Sequence, residues 1–145
     1  MRNLIKILIL TIAFGISNST FAKVETDTIT TWKLSKDSES LIQSNHFNST
    51  IYTVELNFTD EYENLNVSVF YDFNSDTINR KIKFMDGKKT IAEFEEDNNS
   101  RLPFRIPKQE IDRVINGVLD KPITIVYTDS ISQNGILIGL VIFKK

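Results

Sequence analysis

Beyond position 50, apolar and polar residues alternate over most of the chain. In "IYTVELNF", Tyr52, Val54, Leu56 and Phe58 fall on one face, with Thr53, Glu55 and Asn57 on the other. Successive side chains of a strand point to opposite sides, so this period marks a half-buried strand. "NLNVSVFYDF" repeats it, with Leu65, Val67, Val69, Tyr71 and Phe73 opposing Asn66, Ser68 and Asp72, while Phe70 breaks the pattern. The polar "TDEYEN" between these strands suits a hairpin loop. "KIKF" sets Ile82 and Phe84 against Lys81 and Lys83. Asp86-Gly87 follows, a turn signal because glycine tolerates positive φ. "TIAEFE" returns with Ala92 and Phe94 on one side, and "EEDNNS" reads as a further polar loop. "RLPFRIP" groups Leu102, Phe104 and Ile106. Pro103 cannot donate to a ladder, so Arg101–Ile106 is expected at a sheet edge.

One helix interrupts the alternation. Pro107 fits a first helical turn, where its missing N–H costs nothing. Ile111, Val114, Ile115 and Val118 then recur at helical spacing, with Glu110, Asp112 and Arg113 outward and Gly117 as a stop. "ITIVYT" after Pro122 and the apolar "ILIGLVIF" close the chain. Between them, Asn134-Gly135 predicts a type I′ hairpin turn. The last strand is apolar on both faces, so it is expected to be central and covered on both sides. Gly139 within it suggests a bulge or a close backbone approach. Upstream, "TITTWKL" reads as a first strand with Trp32 and Leu34 inward, whereas "KDSESLIQSNHFNS" gives no assignment. About eight strands with frequent turns and one late helix predict an all-β fold. The expectation is an antiparallel β-sandwich, immunoglobulin-like or an open barrel, with one short α-helix near the C-terminus. A membrane barrel needs strands of about 9–11 residues with aromatic girdles. Several strands here are shorter, and the chain ends "FKK".

The first 22 residues change this picture. Arg2 and Lys6 precede the apolar "ILILTIAFGI", and "SNSTFA" places Thr20 and Ala22 as small residues before a cleavage point. This is the pattern of an export signal, too short to span a bilayer. The expected mature chain runs from Lys23 to Lys145, 123 residues in a single domain. It has no cysteine, so an exported fold must rest on its core rather than on disulfides. Of the 17 basic residues 15 remain, against all 19 acidic ones, a net charge of −4. That balance disfavours binding to nucleic acid or to anionic lipid.

Candidate chemistry is sparse. Asp72, Asn74 and Asp76 begin like an EF-hand calcium loop, but the sixth position is Thr77 and the twelfth Lys83, where the loop needs glycine and glutamate. A looser calcium site could draw on these residues together with Glu95, Glu96 and Asp97. The plainer reading is a turn, since Asn and Asp bond to their own backbone. His46, the one histidine, has no nucleophile elbow or metal-ligand partner in the sequence. Nineteen carboxylates could supply a hydrolytic pair, but nothing selects one. Asn48, Asn57, Asn66 and Asn98 head N-x-S/T triplets, in a chain rich in those residue types. No catalytic, cofactor-binding or metal residue is assigned, and no cofactor is expected. Phe70, Arg101 and Arg105 are the candidate partner contacts: Phe70 because it breaks its strand's pattern, the arginines because they line one side of an edge. Lys81 and Lys83 line another side in the same way, a solvated face being the plain alternative.

The order of "KIKFMDGKKTIAEFE", "RLPFRIPKQEIDRVINGV" and "KPITIVYTD", followed by an apolar closing strand, resembles the small periplasmic sandwich proteins of the invasion-associated locus B type. The resemblance covers roughly Arg80 to Phe143 and rests on element order. It implies an exported, non-enzymatic protein tied to the bacterial envelope and transfers no site residue. This chain lacks the cysteines that family commonly carries. The expected function is therefore that of an exported, non-enzymatic binding or accessory protein, periplasmic or secreted. Its partner would be a protein or envelope component, with no nucleic acid and no membrane insertion after cleavage. The alternatives are an assembly subunit adding a strand at Arg101–Ile106 and a small carboxylate-dependent hydrolase.

Overall fold

The computed structural model describes residues 29–45, 51–72 and 74–145. The first 22 residues, where an export signal is expected, and His46, Asn48 and Phe73 lie outside the described residues. Among the described residues, nine strands and one helix follow in order: β1 (Ile29–Lys36), β2 (Glu39–Asn45), β3 (Thr53–Asn57), β4 (Asn64–Tyr71), β5 (Thr77–Asp86), β6 (Lys89–Asn99), β7 (Phe104–Pro107), α1 (Lys108–Ile115), β8 (Pro122–Asp129) and β9 (Ile136–Lys144). They form two open sheets, ordered β2-β1-β4-β7 and β3-β9-β8-β5-β6. This is the all-β, sandwich-like architecture that the alternation predicts, with neither sheet closed into a barrel.

The inward positions are those the pattern assigns. Leu65, Val67, Val69 and Tyr71 of β4 are buried, as are Ile82 and Phe84 of β5 and Phe104 and Ile106 of β7. Leu34 and Ile42 complete the four-stranded side, and Ile123, Ile125, Val141 and Phe143 the five-stranded side. α1 starts directly after Pro107 and buries Ile111 and Ile115, one turn apart. Burial of two such side chains contributes about 1.5–3 kcal/mol each, and it seats the helix against β7 and β6 at one margin of the sandwich.

Several expectations are corrected. β3 pairs with β9 in parallel, Thr53 opposite Leu140 through Asn57 opposite Lys144. "TDEYEN" is thus a crossing between sheets and not a hairpin loop. Residues 95–99 belong to β6, because β5 supplies a partner for each, from Lys81 opposite Glu95 to Thr77 opposite Asn99. "KDSESLIQSNHFNS" contains β2, whose Ile42 is buried and whose turn uses Asp37 at φ 49°. Leu102 is 50% exposed, since the chain is still turning when it passes that position and β7 begins only at Phe104. Asn134-Gly135 is not a type I′ turn. That turn needs positive φ at both residues, and only Gly135 has it (φ 82°). Instead the Gly135 N–H donates to the Ser132 carbonyl at 3.1 Å, within a longer loop.

β9 is central, between β3 and β8, but covered on one side only. Leu137 on its outward face is 39% exposed. Gly139 has the close approach its position suggests. A Cβ there would lie 2.5 Å from Ile42 Cδ1 and 3.1 Å from the Tyr52 carbonyl oxygen. The bare backbone lets the Leu140 N–H reach that carbonyl at 2.9 Å, which fixes the parallel register of β3. The β8–β9 ladder also slips by one residue between Ile125 and Val126, a bulge beside the same glycine.

Candidate functional site: an acid-lined groove beside the helix

The crossing from β3 to β4 and the first turn of α1 form the walls of an open groove of about 620 Å³. Phe58, Asp60, Glu61, Tyr62 and Glu63 come from the crossing, and Lys108, Gln109 and Asp112 from the helix. The crossing is pinned by Asp37, whose left-handed backbone aims its carboxylate at the chain end. That carboxylate accepts the Glu63 N–H at 3.1 Å and the Asn64 N–H at 2.8 Å. The Lys108 N–H then donates to the Glu63 carbonyl at 2.9 Å, joining helix and crossing.

At the floor sits the Lys108 ammonium. It donates to both Asp112 carboxylate oxygens, at 2.7 and 3.0 Å, and to the Phe58 carbonyl at 3.2 Å. It also lies 5.2 Å from the Phe58 ring centre and 5.5 Å from that of Tyr62, within reach of the negative ring faces. Burial pushes the Tyr62 hydroxyl pKa up, and the negative charges of Asp112, Asp60 and Asp37 push it further. Asp60 at the rim is held below the usual carboxylate range by the Lys36 ammonium, 3.3 Å away. Four carboxylates and one ammonium line the groove. Its chemistry suits a cationic group with an apolar stem. Among the described residues, its hydroxyls are those of Thr59 and Tyr62.

A second polar cluster is buried at one end of the core. In β8 the inward positions run Ile123, Ile125, Tyr127 and Asp129, so a carboxylate ends an otherwise buried row. Asp129 Oδ2 accepts the hydroxyls of Tyr71 at 2.5 Å and Tyr127 at 2.7 Å. Its Oδ1 accepts the Ile131 and Ser132 N–H groups, which begin the β8–β9 loop. Burial first, and then the Asp129 carboxylate, drive the pKa of both tyrosines well above the ordinary value. Arg80, opposite Asp129 in the ladder, is 1% exposed. Its guanidinium pairs with Glu96, donates to the Leu102 carbonyl at 2.6 Å and stacks over Phe104.

The candidate contacts from the sequence do not converge. Phe70 is 41% exposed on the outer face of β4. Arg105 is on the same outer face, opposite Asn66 and four residues along from Phe70. Arg101 lies in the turn before β7, its N–H held by the Asn99 side chain at 2.9 Å. Lys81 and Lys83 face Glu93 and Glu95 across the β5–β6 ladder, with ion pairs of 3.1 Å (Lys81–Glu95) and 3.2 Å (Lys83–Glu93). The loose calcium cluster is dispersed. Asn74 Oδ1 accepts the Asp76 N–H at 2.8 Å, closing a local turn, while Glu95 and Glu96 point to opposite sides of β6, toward Lys81 and Arg80. Among the described residues, no group of three or more acidic or histidine side chains is placed to hold a metal ion. Asn57, Asn66 and Asn98 all lie in strands.

Pattern reading missed Lys108, Tyr62, Asp112 and Asp129. Two signals were present. Lys108 and Asp112 are i,i+4 neighbours on a helix, and Asp129 shares the inward register of "ITIVYTD". The pairing of the crossing with the helix spans about fifty residues and left no local trace.

Fold and groove together define an all-β sandwich-like domain with an acidic, aromatic-floored depression. No protein-family model matches the chain, and no curated protein matches its sequence. Among the described residues, no helix is long and apolar enough to cross a membrane.

Proposed function

We propose that this chain is an exported, non-enzymatic binding or accessory protein of a bacterial envelope, and that it recognises its partner through the groove between the β3–β4 crossing and α1. The carrying observation is the arrangement at its floor, where two aromatic rings and a carboxylate already hold one ammonium group. Open space remains above it, rimmed by Asp60, Glu61 and Glu63. A partner offering a lysine or arginine side chain meets matching charge and ring faces there. The export pattern in the first 22 residues and the resemblance of Arg80–Phe143 to envelope sandwich proteins support the location.

Site-specific photo-crosslinking in intact cells tests the reading. A photoreactive residue at Gln109, in the groove, is expected to capture a discrete partner, and the same residue at Phe70 is expected to capture none. Equal capture at both positions, or capture at Phe70 alone, would remove the groove from the account.

A further inference from the structure

The two sheets end side by side in two unequal open strands. β7 has four residues, bracketed by Pro103 and Pro107, and so offers little backbone for pairing. β6 has eleven residues and is the last strand of its sheet. Among the described residues, its backbone between 90 and 97 bonds to β5 alone. Beside residues 93–96 lies a cleft of about 360 Å³, its far wall made by Phe104, Arg105, Pro107 and Glu110. A free row of N–H and C=O groups next to an open cleft is the template used in strand addition.

The side chains state what strand would fit. The outward face of β6 presents Glu93, Glu95 and Asp97 at alternate positions. On its inner flank β5 answers with Lys83, Lys81 and Asn79, also at alternate positions, and Asn79 donates to both Glu95 and Asp97. Among the described residues, no strand stands on its outer flank. We propose that the free edge of β6 accepts an added strand, and that the occupant is an extended segment of a partner protein with basic residues at every second position. Such a strand repeats on the outer flank the pairing β5 makes on the inner one. A second copy of this chain does not fit, because antiparallel β6–β6 pairing would set the acidic stretch 93–97 against another like it. Opposed like charges disfavour that register.

The test uses the mature protein and three fluorescent ten-residue peptides: one alternating lysine with valine and threonine, the same peptide N-methylated along its pairing edge, and one with glutamate for lysine. The lysine peptide is expected to bind and to slow amide hydrogen exchange within residues 90–98. N-methylation keeps the charge and removes the donors, and should weaken binding at least tenfold. The glutamate peptide should not bind. A Glu93→Gln/Glu95→Gln variant, altering two exposed side chains, should lose most of the affinity while melting as the parent does. A Glu61→Lys variant, which impairs the helix groove, should leave the protection of residues 90–98 unchanged, which separates strand addition at this edge from lysine binding in the groove. Failure of the lysine peptide to bind, undiminished binding of the N-methylated form, or no added protection within residues 90–98 would each overturn the proposal.

Discussion

Two places in this molecule wrap aromatic side chains around a charge, and they differ in access to water. At Asp129, Tyr71 and Tyr127 close over a carboxylate whose oxygens are all occupied, by two buried hydroxyls and two half-buried backbone N–H groups. At Lys108, Phe58 and Tyr62 flank an ammonium at the bottom of an open groove. The first arrangement is complete, since each hydrogen bond is internal and both carboxylate oxygens already have two donors. The second is also internally bonded, but its rim adds Glu61 and Glu63, two carboxylates that face solvent. A sealed polar cluster fixes a fold, because any partner removed leaves a buried group unsatisfied. An open one retains charge that a visitor can still use.

The largest expected effect falls on the sealed cluster. Asp129→Ala strands two hydroxyls and two backbone N–H groups, and should cost about 3–5 kcal/mol of stability. Calorimetry should show a melting temperature lower by roughly 10–20 °C. A loss below about 1 kcal/mol would mean that water reaches the cluster, and the contrast with the groove would fail. Alkaline pH probes the same site more gently. Tyr71 and Tyr127 hold their protons more tightly in the fold than in the unfolded chain, whose tyrosines ionise near 10.0. Their stabilisation is therefore complete below that pH and is lost as pH rises above it. Tyrosinate absorbance and unfolding by circular dichroism should then rise together; ionisation of all tyrosines in a still-folded protein would contradict the sealing.

Lys108→Met is the corresponding change in the groove. It keeps the stem's packing and removes the ammonium. Asp112 is partly exposed and can turn to water, so a smaller cost of about 1–2 kcal/mol is expected by chemical denaturation. A cost equal to that of Asp129→Ala would place both clusters in the structural class.

Much of the architecture was readable because burial in a sheet follows a strict period. Leu65, Val67 and Val69 on β4, Ile82 and Phe84 on β5, and Ile111 and Ile115 on α1 all sit where the pattern puts them. Gly139 showed its close approach through composition alone. What failed was polar structure held by a distant partner. Residues 95–99 look like a loop until Lys81, Asn79 and Arg80 stand opposite them. The parallel pairing of β3 with β9 joins residues more than eighty apart and has no local signature. The groove is of that kind too, since the crossing and the helix meet only through the fold. Phe70 was correctly read as exposed, but exposure alone did not place it near the groove.

The most direct test is a paired measurement on the partner captured at Gln109. Its affinity for the parent protein is compared with that for Glu61→Lys, which reverses one exposed charge at the rim. The account predicts at least a tenfold loss of affinity, about 1.4 kcal/mol, with stability unchanged within about 0.5 kcal/mol. Unchanged affinity, or affinity lost only together with stability, would contradict it.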